Sequence, residues 1–211
     1  MWTTFVDGLA ALLAQLATWL DGSYGLAVIV LALLVRLAML PVTLRTAEQG
    51  WWRQQQLLAL KPKLAQLKQL HAADPAARAR ATQVLYREHG LAGGLGSGML
   101  LALVQAPLAA GIYAAIRQGI AGAGSFLWIP KLGRPDAWLA LVVGLLSFAA
   151  LLLNPAMSEQ TRTLLHWLPV VISFLLVWHL AAGLGLYWAG SSGVNLLQMA
   201  LLRRRVRSRR R

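Results

Sequence analysis

The chain has 211 residues, with 20 Lys and Arg against 7 Asp and Glu, a formal net charge of +13, and no cysteine. At 58% hydrophobic and 13% charged residues, with a mean hydropathy of +0.58, it is too apolar for an ordinary soluble domain, which runs near 45–50% apolar and about 25% charged. The same figures exclude a disordered chain, and the missing cysteines exclude a disulfide scaffold, a Cys-ligated metal, a cysteine nucleophile and a lipidated N-terminal cysteine.

What remains is an all-α integral membrane protein. Residues 1–23 carry no Lys or Arg and hold Asp7 early, so they do not read as a signal peptide. Phe5, Leu9, Leu12, Leu13, Leu16 and Leu20 fall on one helical face. Thr4, Asp7, Gln15 and Thr18 fall on the other, with Trp2 and Trp19 suited to a headgroup zone. The expectation is an amphipathic helix on the outer face of the membrane, ended by Asp21-Gly22.

Residues 24–44 form the first expected transmembrane helix, interrupted only by Arg36. Residues 45–94 are the only sizeable soluble element. Leu57, Leu60, Leu64 and Leu67 step at heptad-like intervals among Gln55, Gln56, Lys61, Lys63, Gln66 and Lys68. Asp74-Pro75 suits the start of a second helix, with Asp74 as cap and Pro75 at its first position. Ala77, Ala81, Val84 and Leu85 carry that helix's apolar face as far as Glu88. A two-helix hairpin projecting into the cytoplasm follows, with a loose return through Gly90, Gly93, Gly94, Gly96 and Gly98.

Residues 95–202 hold the remaining spans. Two of them, about Leu95–Ile116 and Ala137–Leu153, flank an outer loop at 117–136. Leu164–Leu202 is almost continuously apolar, and as one helix it would be about 58 Å long, roughly twice a ~30 Å hydrocarbon core. It must turn once, and Ala182-Gly183-Leu184-Gly185 is the glycine-rich place to do so. The spans are then about Leu164–Ala182 and Leu184–Leu202, five in all, which puts the termini on opposite sides. Eight Lys and Arg in residues 45–94, one in 154–163 and seven in the tail 203–211 share one side, against three in 117–136 on the other. The positive-inside rule therefore predicts an outside N-terminus and a cytoplasmic C-terminus.

Arg36 stands out. It lies about 18 Å from Tyr24 and about 13.5 Å from Arg45 along the helix, near mid-membrane. There an arginine costs roughly 2.5–3.5 kcal/mol on insertion scales. The acids Asp7, Asp21, Glu48, Asp74, Glu88, Asp136 and Glu159 all lie outside the expected spans. Arg36 is thus hydrated in a polar cavity, paired with something outside this chain, or snorkelling to the cytoplasmic interface.

Other span polar groups are Thr43, Gln105, Ser147, Ser173, Ser191, Ser192, Asn195 and Gln198, each readable as helix-packing glue or as site. Tyr187 and Trp188 suit an aromatic belt, and Pro107 and Pro169 read as kinks. His166 falls near an interface, and His179 reads as a packing residue rather than a proton relay. No phosphate cradle, metal cluster or nucleophile–base set has usable spacing, so no enzyme, metal or cofactor is expected.

Leu34-Val35-Arg36-Leu37-Ala38-Met39-Leu40-Pro41-Val42-Thr43 resembles the arginine-bearing first core span of the YidC/Oxa/Alb membrane protein insertases. Leu58-Ala59-Leu60-Lys61-Pro62-Lys63-Leu64 is similar to that family's approach to its cytoplasmic hairpin. Leu103-Val104-Gln105-Ala106-Pro107, Leu127-Trp128-Ile129, Leu168-Pro169-Val170 and Gly185-Leu186-Tyr187-Trp188 resemble further family motifs, in order and over residues 20–202.

The resemblance implies an insertase and chaperone without cofactor. Polar segments of nascent membrane proteins would pass through a hydrophilic groove made by Arg36, Thr43, Gln105, Ser147, Tyr187 and Trp188. The segment Leu60, Lys61, Pro62, Lys63 and Leu64 would belong to the hairpin that captures them. Leu151 stands where the family often has glutamine, Ser192 where an asparagine is expected, and the approach Gly94-Leu95-Gly96-Ser97-Gly98 also departs from the family's. Against many Gram-negative members, the expectation is a form without the large periplasmic domain and extra N-terminal span, which suits a minimal insertase or a specialised paralogue.

The tail arginines Arg203, Arg204, Arg205, Arg207, Arg209, Arg210 and Arg211 fit an anchor on anionic lipid or a contact with ribosomal RNA. The expected partners are nascent membrane proteins and membrane lipids, with the ribosome and the Sec translocon left open, and a monomer as the default. Two other classes compete: a small channel or transporter subunit polarised by Arg36, and a scaffold whose partner supplies an acid to it.

Overall fold

The computed structural model describes residues 1–91, 96–120, 122–155 and 168–208, with side chains throughout except at 96–102, 104 and 169. Every regular element described is a helix: α1 Trp2–Trp19, α2 Tyr24–Leu70, α3 Pro75–Glu88, α4 Gly96–Gly119, α5 Ala137–Leu153, α6 Leu168–His179 and α7 Ala182–Ser208.

A turn with Asp21 and Gly22 at positive φ separates α1 from α2, and the Ser23 side chain accepts from Leu26 N to cap α2. Helix α2 runs 47 residues without a break at Arg45, about 70 Å, so the first apolar stretch and the first hairpin arm are one rod. Pro41 and Pro62 lie inside it, each removing one helical hydrogen bond. By length and composition it is the one described helix fit to cross a membrane; Ala137–Leu153 and Val170–His179 are shorter apolar helices.

The Asp74 carboxylate accepts from Ala76 N and Ala77 N, both at 2.9 Å, and starts α3 at Pro75. The end of α3 is closed by hydrogen bonds at Gly90 and Leu91. Gly90 takes φ +67°, its N–H donates to Arg87 O, and Leu91 N donates to Tyr86 O at 2.7 Å, a Schellman closure. Gly93 and Gly94 lie outside the described residues, as do Glu159, His166 and Arg209–Arg211; Gly96 and Gly98 belong to α4.

Helix α5 starts on Asp136, which accepts from Leu139 N at 2.7 Å and from Trp128 Nε1 at 3.2 Å. The turn within the last apolar stretch falls at Leu180-Ala181, ahead of the glycine cluster expected to form it. Gly183 and Gly185 instead lie in the first turn of α7, where an added Cβ would meet Ile120, and Leu139 and Val177, respectively. Close packing, not chain reversal, is what needs glycine there. The loop 117–136 caps this end: Ala182 N donates to Arg134 O (2.8 Å) and Gly183 N to Leu132 O (2.9 Å).

The main core joins α1, α2, α4, the loop, α5 and α7 through Leu13, Leu31, Ile116, Ile129, Leu139 and Leu186, among others. On α1 the buried face is Val6, Leu13, Leu16 and Ala17, while Phe5 and Leu12 stay exposed, so the face is rotated from the expected one. A second cluster of Leu44, Trp51, Leu202 and Val206 joins α2 to the end of α7 on the hairpin side.

Candidate functional site

Between these two clusters the helices leave polar space, and Arg36 stands in it. The side chain is half-buried, on α2 about 6 Å beyond Ala32 along the helix. Among the described residues it has no hydrogen-bond or ion-pair partner, and no described acid lines its surroundings.

Arg36 lines two cavities. The larger, about 420 Å³, takes Ser147, Leu151 and Asn154 from α5, Ser173 from α6, and Trp188, Ser191, Ser192 and Asn195 from α7. The smaller, about 110 Å³, takes Val35 and Met39 from α2, Gln105, Leu108 and Ala109 from α4, and Tyr187. Tyr187 is near enough to feel the charge of Arg36. The guanidinium therefore sits where the two spaces meet, with amide and hydroxyl groups on facing walls. Ser191, only 4% exposed, sets its buried Oγ beside Tyr187, outside strict hydrogen-bond geometry. An arginine that presents five donors, beside the hydroxyls of Tyr187 and Ser191, makes a site suited to a carboxylate or another polar oxygen from outside the fold.

Of the groove residues expected from the sequence, Arg36, Ser147 and Trp188 meet in the larger cavity, and Arg36, Gln105 and Tyr187 in the smaller. Thr43 lines neither; its hydroxyl donates to Gln198 Oε1 at 2.9 Å. In the sequence Ser173, Ser191, Ser192 and Asn195 read as helix glue or as site without a place in the groove, and Asn154 by itself gave no signal. The signal was periodic: 188, 191, 192, 195 and 199 share one face of α7, and 147, 150, 151 and 154 share one face of α5. Leu151 makes its stretch of wall apolar, and Asn154, nearly one turn on, restores an amide.

The hairpin segment divides. Leu60 is buried, Leu64 half-buried, and Lys61, Pro62 and Lys63 are exposed. Lys63 also borders a space of about 450 Å³ between the arms, with Leu67, Leu70, Val84, Leu85 and Glu88 among its lining. Helix α7 continues into the tail: Val206 is buried, Arg203 half-buried, and Arg204, Arg205 and Arg207 exposed. His179 is exposed and its Nδ1 pairs with Leu175 O at 2.8 Å.

Fold and site together define a helical membrane protein with an arginine-lined polar cavity. Residues 15–209 match the family model described as 60Kd inner membrane protein, and the chain belongs to that family. It is 31% identical over 181 residues to a membrane protein insertase YidC of Fusobacterium nucleatum subsp. nucleatum, covering 84% of each chain. It is 28% identical over 213 residues to the Staphylococcus aureus membrane protein insertase YidC, covering 93% of this chain and 73% of that one. Among solved structures, it resembles an active YidC insertase crystallised with its first transmembrane domain resolved, with a TM-score of 0.61 and 26% identity. That match covers 95% of this chain but 46% of the solved one, so this chain spans less than half its length.

Proposed function

We propose that this chain is a membrane protein insertase that receives polar segments of its clients at Arg36 and releases their hydrophobic helices into lipid. Family membership and the named relatives support the insertase role. The observation that carries the route is the position of Arg36 on both cavities, without an acid among their described lining residues.

In this reading the apolar parts of α2, α4, α5, α6 and α7 form five spans, with α1 and the 117–136 loop outside and the hairpin in the cytoplasm, as the Lys and Arg distribution demands. The apolar core then closes the outer end, and the cavity shortens the hydrocarbon path that a polar segment must cross. An arginine at that depth, expensive in lipid, is tolerated because the cavity is polar. It attracts a client carboxylate through a fixed charge and a planar donor fork. The client's own apolar helix, partitioning into lipid, supplies the driving force. The described lining of both cavities comes from one chain, which supports a monomer.

The deciding experiment is insertion of a single-span client with an acidic outer tail, in cells depleted of their own insertase, scored by protease access. Wild type inserts it, and Arg36→Ala loses at least ten-fold, the scale of one charged hydrogen bond left unmade, about 1.5–3 kcal/mol. Retained activity in Arg36→Lys would assign the effect to charge rather than to the fork. Full activity in Arg36→Ala would refute the route, and solute flux through purified protein without clients would move the assignment to a channel.

A further inference from the structure

Helices α2 and α7 run side by side in the same direction, and their contacts climb in step. Ala32 meets Gly190, where an added Cβ would come 3.1 Å from the alanine methyl. Thr43 meets Gln198, and Leu44 and Trp51 share a cluster with Leu202 and Val206. The larger cavity opens between the first and second of these contacts. Thr43 stands seven residues after Arg36, and Gln198 seven residues after Ser191. Each is two turns, about 10.5 Å, along its own helix from a cavity residue and on the same face.

The middle contact is a polar clasp. Thr43 Oγ1 donates to Gln198 Oε1 at 2.9 Å, and Gln198 Nε2 donates back to Thr43 O at 3.4 Å. We propose that Thr43 and Gln198 are a positioning pair for insertion: they pin α2 to α7 beyond the cavity and so set how the Arg36 turn faces the Ser191–Asn195 wall. This rests on reading the cavity as the client's route.

Bond chemistry separates positioning from mere stability. The Thr43 hydroxyl has one proton and three acceptors in range, Gln198 Oε1, Met39 O at 3.1 Å and Leu40 O at 3.3 Å. In Gln198→Leu the hydroxyl falls back on its own helix, and a leucine of similar size fills the site, so no buried polar group is stranded. Thr43→Val, by contrast, leaves the Gln198 amide, 9% exposed, short of its acceptor's partner. Gln198→Leu should therefore stay folded yet lose the registration.

The test uses the full chain in membranes, with each rate normalised to the protein present there. Expected results are a loss of about three- to ten-fold in client insertion for Gln198→Leu, the scale of one net hydrogen bond, with a similar or larger loss for Thr43→Val. Thr43→Ser should restore activity, because it keeps the hydroxyl and returns the clasp. The chain holds no cysteine, so Ser192→Cys gives a unique thiol in the cavity. Its rate of reaction with a water-soluble maleimide should change when Gln198→Leu is added. Wild-type insertion by Gln198→Leu, an unchanged thiol rate, or a Thr43→Ser variant no better than Thr43→Val would each overturn the proposal. Arg36→Ala, run alongside, separates the failures: if it too inserts normally, the route is wrong, whereas if it alone fails, only the positioning is.

Discussion

Ser191 and Asp136 show two opposite uses of a polar side chain. Asp136 closes the head of α5 with one oxygen, accepting from Leu139 N and Trp128 Nε1. Asp136→Ala loses a cap and frees the loop indole, so it should lower stability by about 1–2 kcal/mol, read as a lower Tm in detergent. Ser191 Oγ is buried beside Tyr187 without a well-formed hydrogen bond, so its hydroxyl supports the fold little. Ser191→Ala should therefore hold stability or raise it by up to about 1 kcal/mol, read as an unchanged or higher Tm, while slowing client insertion. A lower Tm for that variant would mean that the hydroxyl is satisfied and that the cavity is less available than argued. Both side chains are plain in the sequence as an Asp before a helix and a Ser in a span. An Asp ahead of a helix has a local meaning as a cap, whereas the desolvation of a Ser depends on what packs against it.

At the scale of elements, the glycines of α7 separate packing from propensity. Gly185 sits against Leu139 and Val177, both buried, and an added Cβ would come 2.7 Å from a Leu139 methyl. Gly193, two turns on, has nothing within 4 Å of that position. Gly185→Val should destabilise by about 1–3 kcal/mol through overpacking, whereas Gly193→Ala should stabilise by about 0.5–1 kcal/mol through the lower entropy cost of alanine in a helix. Thermal unfolding of both variants checks the contrast in one helix. The sequence showed the Gly183–Gly185 pair but suggested a turn, since chain reversal and close approach both favour glycine. The neighbour that decides between them, Leu139, lies more than forty residues away.

Across the whole molecule, α2 links the cavity to the hairpin, and α7 braces it. Trp51, 2% exposed, is held by Leu202 and Val206, and Arg53 reaches across to Leu91 O at 3.3 Å. The tail is thus no free appendage: residues up to Ser208 are a helical splint on the stalk of the hairpin, with Arg204, Arg205 and Arg207 on its exposed side. Trp51→Ala should cost the stalk about 3–5 kcal/mol of local packing. The expected readout is faster proteolysis at the exposed turn after Leu70 and faster amide exchange over residues 44–60, with the loop-end core still protected. Unchanged exchange there would show that the splint carries no load.

Composition, Lys and Arg distribution and apolar run lengths determined, without any structure, that this is a helical membrane protein, because transfer free energy and helix length are properties of segments. The order of the family-like motifs determined the insertase family in the same way. Local chemistry likewise determined the Asp74 cap and the Pro75 start, and hydropathy the limits of α5. Tertiary structure decided that the first span and the hairpin arm are one rod, that the last apolar stretch turns at Leu180-Ala181, and that Thr43 bonds Gln198. It also decided which small polar residues face Arg36. Those outcomes depend on which helix lies opposite, and a hydroxyl on a helix has the same local preferences whether it meets leucine, glutamine or a polar space.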